Sequence, residues 1–419
     1  MPHTTDDVFG ISRGVPLNYV VRPTVDGKFV DNLTRAKHVV VYGSSKQGKT
    51  SLRKHCLQEG DYIVVTCSNR WQLRDIHAQI LKEAGFEVTQ STTHNYGGEM
   101  KVNATFKLLG AGVDAGLSGA GGHEQESAPL ELDLNDVNDV IRALKSVNFA
   151  RYVVLEDFHY LPTEAQRDFA VSLKAFHESS EICFVVVGVW LDENRLTIYN
   201  GDLTGRIVAV DADTWTDDEL KQVILKGADL LNVRFAEDFI GRLIAGCQGS
   251  VAIVQEVCNR ACKAAGVSQT AVIPVDIGDG EVELGALLKA VVDEQGGRYN
   301  SFLVQFAAGF QSTSLEMYRW LLYPVLTEPT DDLAKGLALA RIRAVLNAVH
   351  PQKPLNTGNI TQALQAASDL QVKKEVKPII LDYDETNLRL NVVDRGFLIW
   401  REQQDRADLL ARVELPAGS

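Results

Sequence analysis

Residues 43–50, Gly-Ser-Ser-Lys-Gln-Gly-Lys-Thr, have the spacing of a phosphate-binding loop. In such a loop the backbone N–H groups surround phosphate oxygens, and the start of the following helix adds partial positive charge. The lysine reaches the terminal phosphates and the threonine hydroxyl binds Mg²⁺. We therefore predict a nucleotide site with Thr50 as a metal ligand. The predicted binding residues are Gly43, Ser44, Ser45, Lys46, Gln47, Gly48, Lys49, Thr50 and Ser51.

Two adjacent acids, Glu156 and Asp157, end the apolar run Val153–Leu155. Packing explains acids at the end of a buried strand poorly, because unpaired buried charge is costly. An exposed turn after an edge strand is the alternative. As a catalytic pair, one carboxylate would hold Mg²⁺ through water and the other would polarise the attacking water. His159 either orients this pair or is structural.

Two more polar positions are candidates for catalysis. In GVWLDENRL, Asn194 is placed to sense the terminal phosphate, with Trp190 and Asp192 as alternatives. Arg206 precedes the apolar run at 207–210, where an arginine could complete a neighbouring subunit's site by balancing transition-state charge. A simple surface arginine is the other interpretation of Arg206.

Short apolar runs rich in β-branched residues predict the strands that position these groups. The runs are HVVVYG (38–43), YIVVTCS (62–68), YVVLED (152–157), CFVVVG (183–188) and RIVAV (206–210). Helical patterns at 71–84, 134–147 and 163–178 separate them. Buried strands that alternate with helices predict an α/β fold with a parallel sheet covered on both faces.

The remaining chain divides by pattern. Thr216 and Glu219 form a capping-box pair that opens a purely helical stretch. Three helices near 315–326, 337–349 and 360–372, followed by a β-ribbon, are the order of a winged helix. The predicted organisation is an N-terminal segment (1–36), a core (37–212) with a hairpin insertion (86–130), a helical lid (213–266), a connector (267–314) and a winged helix (315–419).

Charge limits where a polyanion could bind. The chain has 42 Lys+Arg against 55 Asp+Glu, a net charge of −13, whereas residues 316–419 carry 13 basic and 14 acidic residues and a net charge of −1. The last module is therefore the main candidate for DNA contact, and a protein interface is its rival. The side chains that could read bases are Thr357, Asn359, Thr361, Gln362 and Gln365, and the nearby cations are Lys373, Lys374, Lys377, Arg389, Arg395 and Arg401.

Other residues of the last module and of the insertion bear on whether DNA or a protein is the partner. Asp382, Asp384 and Glu385 fall where a wing tip would meet phosphate, which disfavours DNA. Lys101 and Lys107 of the glycine-rich hairpin could touch a nucleic acid, although partner docking is an equal alternative.

Composition predicts a folded protein outside the membrane. Hydrophobic residues make up 45% and charged residues 23% of the chain, and no run of about 18 apolar residues occurs. The N-terminus lacks the basic and apolar stretches of a signal peptide. Six scattered cysteines predict reduced thiols and a cytoplasmic location.

The motifs GSSKQGKT, VVLEDFH and VVVGVW, Arg206, the lid and the terminal module together resemble an AAA+/STAND-type P-loop ATPase. The similar proteins are the origin-recognition initiators and the ATPases of transposition and defence systems. The resemblance implies ATP and Mg²⁺ as cofactors and a homo-oligomer. It also places the backbone near Tyr19–Arg22 beside the adenine.

Two departures from the family pattern refine these expectations. The family usually has Asp then Glu at the strand end, so by position Glu156 would be the metal-side acid and Asp157 the base, with slow hydrolysis. The lid helix that begins GSVAIVQEV lacks the arginine of many AAA+ lids, which favours a signalling switch. We expect nucleotide state to control oligomerisation and engagement of DNA or a partner. The alternative is a switch that binds a protein effector, for example in antiphage defence, without DNA.

The first prediction separates the two acids. Lys49→Ala should abolish ATP binding because it removes the phosphate clamp, whereas Asp157→Asn should bind ATP and lose hydrolysis. Nucleotide titration and phosphate release measure the two steps. If Glu156→Gln alone stops turnover while Asp157→Asn does not, the two roles are reversed.

Overall fold

A computed structural model describes residues 2–12, 14–90, 101–106, 130–278 and 282–417. In these ranges the strands are β1 (His38–Tyr42), β2 (Tyr62–Thr66), β3 (Phe86–Gln90), β4 (Lys101–Phe106), β5 (Leu130–Asp133), β6 (Tyr152–Glu156), β7 (Phe184–Val187), β8 (Ile207–Asp211), β9 (Val233–Phe235), β10 (Val275–Ile277), β11 (Leu337–Ala338), β12 (Leu381–Asp384) and β13 (Arg389–Val392). The α-helices of the same ranges are α1 (Thr5–Phe9), α2 (Lys28–Leu33), α3 (Lys49–Cys56), α4 (Leu73–Glu83), α5 (Val137–Ser146), α6 (Thr163–Ser179), α7 (Arg195–Tyr199), α8 (Asp217–Leu231), α9 (Glu237–Gly246), α10 (Val251–Ala264), α11 (Leu284–Asp293), α12 (Gly296–Ala307), α13 (Met317–Thr327), α14 (Thr330–Ala334), α15 (Leu339–Val349), α16 (Thr357–Gln365), α17 (Ala367–Lys373), α18 (Arg395–Glu402) and α19 (Arg406–Arg412).

The central sheet has the order β2-β6-β7-β1-β8, and each neighbouring pair is parallel. Each of its strands coincides with one of the predicted apolar runs. Helices cover both faces, so β1 and β7 are buried along their whole length. The predicted α/β parallel sheet is confirmed. The five parallel strands of this sheet all end at the same edge. The phosphate loop follows β1 there, and Asp157 follows β6.

The insertion is a small antiparallel sheet of order β3-β4-β5. Its third strand was not part of the predicted hairpin. Lys101 lies at the start of β4, and Lys107 lies outside the described residues. The predicted contact through this pair therefore stays a prediction.

The lid contains α8, α9 and α10, with the short parallel pair β9 and β10 beside them. Its first helix begins as predicted. The Thr216 hydroxyl accepts from the Glu219 N–H at 3.2 Å, and the Glu219 carboxylate accepts from the Thr216 N–H at 2.9 Å. The N-terminal helix α1 packs against this unit, with Phe9 against Gly227 of α8.

The C-terminal unit (residues 315–417) has helices α13, α15, α16 and α17 followed by the ribbon β12–β13. A short strand, β11, joins the ribbon in an antiparallel sheet of order β11-β13-β12. The predicted single helix at 360–372 is broken at Ala366 into α16 and α17. The sequence allowed a third ribbon strand at GFLIWRE, but these residues belong to α18. The Asp394 side chain caps this helix, because it accepts a hydrogen bond from the Gly396 N–H at 3.0 Å.

Within the described residues, no helix is long and apolar enough to cross a membrane. All six cysteines are free thiols, and five of them are buried.

The packing of α1 on α8 generates a stability prediction. A Cβ at Gly227 would overlap the Phe9 ring, so Gly227→Ala should destabilise the fold by about 1–3 kcal/mol through overpacking. Gly241 in α9 is the matched control. It has open space around it, and Gly241→Ala should stabilise by about 0.5–1 kcal/mol through helix propensity. Urea unfolding measures both changes, and equal effects would contradict the described contact.

Candidate functional site

The phosphate loop lies between β1 and α3 and depends on its two glycines. Gly43 has φ +147°, and a Cβ there would lie 2.8 Å from the Asp213 nitrogen. Gly48 has φ +84° and directly precedes α3. Both positions need glycine, the first for close approach of another backbone segment and the second for a left-handed residue at the helix start.

Lys49 is buried, and its ammonium is held by the loop itself. Its Nζ donates to the Gly43 carbonyl at 2.8 Å and to the Ser44 carbonyl at 2.5 Å. Burial lowers the pKa of Lys49 to about 8, against the opposing charges of Asp213, Glu156 and Asp157. A phosphate beside this amine would favour its charged form.

The two predicted acids lie together at the end of β6. Glu156 forms an ion pair with Arg53 of α3, with Oε1 and Nε 2.9 Å apart, and the Arg53 side chain is 5% exposed. Burial raises the pKa of Glu156, and Arg53 opposes that shift. Asp157 has φ +59°, and burial raises its pKa against the charges of Lys377 and Lys49. Sequence reasoning missed Arg53, which follows the loop motif by three residues.

The donor set fits Mg²⁺ when a nucleotide supplies the remaining ligands. The Thr50 hydroxyl and the carboxylates of Glu156 and Asp157 all line the same cleft, and Mg²⁺ prefers oxygen ligands, with one or two carboxylates alongside substrate phosphates. Among the described residues no group of three or more His, Cys, Asp or Glu side chains forms a metal site by itself.

His159 lies in the same cleft, two residues after Asp157. Its ring packs against that of Tyr160 at a tilt of 42°, with centroids 4.0 Å apart. Neither ring nitrogen has a hydrogen-bond partner among the described residues, so no hydrogen bond there joins His159 to either acid. Burial holds the pKa of His159 well below its usual value, reinforced by the charges of Lys49, Arg195 and Lys377.

The C-terminal unit reaches the phosphate loop through Val393 and Arg395. The Ser45 N–H donates to the Val393 carbonyl at 2.9 Å. Asp213 bridges the two parts, because one carboxylate oxygen accepts from the Ser44 N–H at 2.6 Å and the other from Arg395 at 2.5 Å. Burial alone would raise the pKa of Asp213, but Arg395 and the Ser44 hydrogen bonds outweigh burial and lower it.

Sequence reasoning missed the role of Asp213 and placed Arg395 on the ribbon. Asp213 could have been found, because it follows β8 at the edge where the other strands end. Arg395 instead begins α18.

A cavity of about 670 Å³ adjoins the loop and has the size of a small-molecule site, roughly 300–1,000 Å³. It extends from the two acids to the start of α10 and to the N-terminal segment. The predicted adenine-side segment contributes Tyr19, Val20 and Arg22 to its lining. Arg22 stacks on Trp215 at 4.0 Å and donates to the Thr214 carbonyl at 3.2 Å, which anchors this segment to the chain after β8.

Two predicted catalytic residues lie elsewhere. Asn194 is exposed and precedes α7, and it does not line the cavity. Arg206 precedes β8 at the opposite edge of the sheet from the loop and forms an ion pair with Glu178 at 2.7 Å. Its side chain is 32% exposed, and its role in a neighbouring subunit stays a prediction.

The two alternatives to Asn194, which are Trp190 and Asp192, are both buried. Trp190 is fully buried. Burial raises the pKa of Asp192 to about 6, and this carboxylate lines a smaller neighbouring cavity with Arg195.

No family model and no curated protein matches the chain. Among solved structures, the Walker-type ATPase PABY2304 of Pyrococcus abyssi is similar at a TM-score of 0.51 and 11% identity, over 94% of this chain and 99% of that chain. The ORC1 protein of Aeropyrum pernix is similar at a TM-score of 0.45 and 12% identity, over 98% of each chain. Cdc6p of Pyrobaculum aerophilum is similar at a TM-score of 0.42 and 12% identity, again over 98% of each.

These likenesses bear on the fold alone, and the latter two are too distant to carry an argument. The first, together with the sheet order and the phosphate loop, shows that the chain has the fold of a Walker-type P-loop ATPase.

The pair between Arg53 and Glu156 generates a prediction. Arg53→Ala should lower the free energy of unfolding by about 3–5 kcal/mol, because it leaves a buried carboxylate without its partner. Arg142→Ala is the control, since Arg142 pairs with Asp139 on the surface and should contribute less than about 1 kcal/mol. Denaturant unfolding compares them, and a small loss for Arg53→Ala would show that the buried pair is not needed for stability.

Proposed function

We propose that this chain binds and hydrolyses ATP with Mg²⁺ and that its nucleotide state controls what the C-terminal unit engages. The observation that carries the proposal is the contact between that unit and the phosphate loop. Val393 accepts from the Ser45 N–H, and Arg395 pairs with the carboxylate that holds the Ser44 N–H. A ligand that binds the loop therefore acts directly on residues of the C-terminal unit.

The cleft residues have the chemistry for ATP hydrolysis. Lys49 and the loop N–H groups would hold the phosphates, and Thr50 with Glu156 would hold Mg²⁺, which neutralises charge on the phosphates when bound. Asp157 would polarise the attacking water. The Asp157 side chain is shorter than a glutamate at that position would be, which favours slow turnover.

The C-terminal unit is docked on the core by more than the loop contact. Arg195 of the core forms an ion pair with Asp382 of β12 at 2.5 Å, and both side chains are buried. The Thr163 hydroxyl donates to the Asp369 carboxylate of α17 at 3.1 Å. An apolar cluster of Val189, Val372, Ile379 and Val393 fills the same interface.

We interpret the C-terminal unit as a winged helix, and this docking covers part of its expected contact surface. Gln365, one of the candidate base-reading residues, lines the small cavity against the core. Asp382 and Asp384 are buried, and Asp384 accepts from the N–H groups of Thr386 and Asn387, each at 2.9 Å. These two acids therefore serve the interface and the turn, and do not oppose a polyanion at the surface.

Some of the cations expected along the ribbon instead form contacts inside the fold. Arg395 pairs with Asp213, and Arg401 is buried in α18, where it donates to the Val325 and Glu328 carbonyls at 2.8 Å. Fewer cations are thus free for phosphate than the sequence indicates. This observation favours the second candidate function, a switch that engages a protein effector.

Assembly of several copies belongs to the same proposal. Arg206 is partly exposed at the far edge of the sheet, so in its own chain it is remote from the loop. An arginine in this place is available to a neighbouring copy, where it would balance transition-state charge.

The switch is tested by amide hydrogen exchange of the whole chain with and without ATP. ATP should speed exchange at residues 379–382 and 393–397 by about tenfold, and Lys49→Ala should remove that response, because a 1.4 kcal/mol change in docking is a tenfold change in opening. Arg395→Ala should show fast exchange without nucleotide. Arg343→Ala, at an exposed arginine of the same unit, is the control. Equal exchange in all states would overturn the switch.

The salt dependence of binding distinguishes engagement of DNA from engagement of a protein. DNA binding that needs ATP and weakens steeply above about 50 mM salt supports the first candidate, because phosphate contacts release counterions. Absence of binding at that salt, together with ATP-dependent exposure of the interface, supports the effector switch.

A further inference from the structure

We propose that His159 contacts the terminal phosphate of the bound nucleotide and lets the site distinguish a triphosphate from a diphosphate. This inference rests on the proposed nucleotide function and assigns a residue to it. It begins from an unsatisfied group, because both ring nitrogens are shut off from solvent and neither has a hydrogen-bond partner among the described residues.

An unpartnered buried polar group is costly, by about 1–3 kcal/mol, and needs an explanation. Each of the other buried histidines of the described residues makes at least one hydrogen bond through its ring. His38 contacts the Leu173 carbonyl at 2.9 Å and accepts from the Phe184 N–H at 3.1 Å. His77 contacts the Leu134 carbonyl through Nδ1 at 2.7 Å, and its Nε2 has no partner. His350 contacts the Leu315 carbonyl at 3.1 Å. Among these four buried histidines, only His159 leaves both ring nitrogens unused.

The position of His159 identifies the kind of partner that it lacks. His159 lines the cleft that Lys49, Thr50 and Asp157 also line, and it follows Asp157 by two residues. It also lines the small cavity that contains Arg195. The end of a nucleotide that reaches beyond Lys49 toward the acids is the terminal phosphate.

The charges around the ring favour an anion. The cations Lys49, Arg195 and Lys377 act electrostatically on the His159 ring, so an anion is favoured beside it. A neutral ring carries one N–H donor, which can bond a phosphate oxygen without adding charge. Hydrogen bonds to charged groups contribute about 1.5–3 kcal/mol, which is enough for tenfold discrimination or more.

The ring is held in place for this role. His159 belongs to the short helical turn Phe158–Tyr160, and the Tyr160 ring packs against it at a tilt of 42°. Tyr160 is in turn packed against the apolar interface cluster, and the Lys377 ammonium lies 4.7 Å from the Tyr160 ring centroid. Contact at His159 is therefore made next to the surface on which the C-terminal unit docks.

The test compares affinities for ADP and for the β,γ-imido analogue of ATP, measured by calorimetry on the full chain with Mg²⁺. His159→Phe keeps an aromatic ring against Tyr160 and removes both nitrogens. It should weaken binding of the triphosphate analogue about tenfold and leave ADP affinity within about twofold. His159→Asn, which keeps a polar group, serves as the second variant and should give a smaller loss.

His77→Phe is the matched control, because His77 is equally buried and outside the cleft. It should change neither affinity, although it removes a hydrogen bond and lowers stability. Unchanged affinity for the analogue in His159→Phe, or an equal loss for both nucleotides, would overturn the inference. Wild-type protein that binds neither nucleotide would overturn the proposed function as well, so the two failures are distinguishable.

Discussion

The Asp213 carboxylate is the interaction on which the arrangement of this molecule depends. It is buried, and buried charge persists only with partners. One partner is a phosphate-loop N–H and the other is a guanidinium from the C-terminal unit. Glycine at position 43 allows the close approach of the segment that carries it. A single side chain therefore positions the phosphate loop, the end of β8 and the C-terminal unit.

Two other buried ion pairs also join separate parts of the fold. Arg53 with Glu156 joins α3 to the end of β6, and Arg195 with Asp382 joins the core to the ribbon. Such pairs contribute little net stability relative to apolar packing, but each is strongly unfavourable when one partner leaves. They therefore favour a specific docked arrangement over a merely compact one. An interface built this way is held by matched charges, because the loss of one of them leaves its partner buried and unpaired.

The sequence predicted the parts of the fold that local pattern determines. The β-branched runs marked every strand of the central sheet, and the glycine spacing marked the phosphate loop. The capping box at Thr216 was correct because its hydrogen bonds span three residues. The strand order, the break at Ala366 and the helix at 395–402 depend on tertiary contacts or on one cap, and periodicity alone did not resolve them. Likewise, Asn194 was chosen as a polar residue that follows a strand, whereas in the structure it is exposed and does not line the cavity.

The bridge made by Asp213 joins residues that are 182 positions apart in the chain. During synthesis the ribosome releases the loop and all five strands of the central sheet well before residue 395, so the nascent core must hold this buried carboxylate without its guanidinium. Translation from the N-terminus thus first makes a core in which Asp213 lacks the Arg395 guanidinium, and that partner follows 182 residues later. The order of synthesis therefore places the segment that carries Arg395 after the core, and a chain that stopped before residue 395 would carry the phosphate loop without this contact.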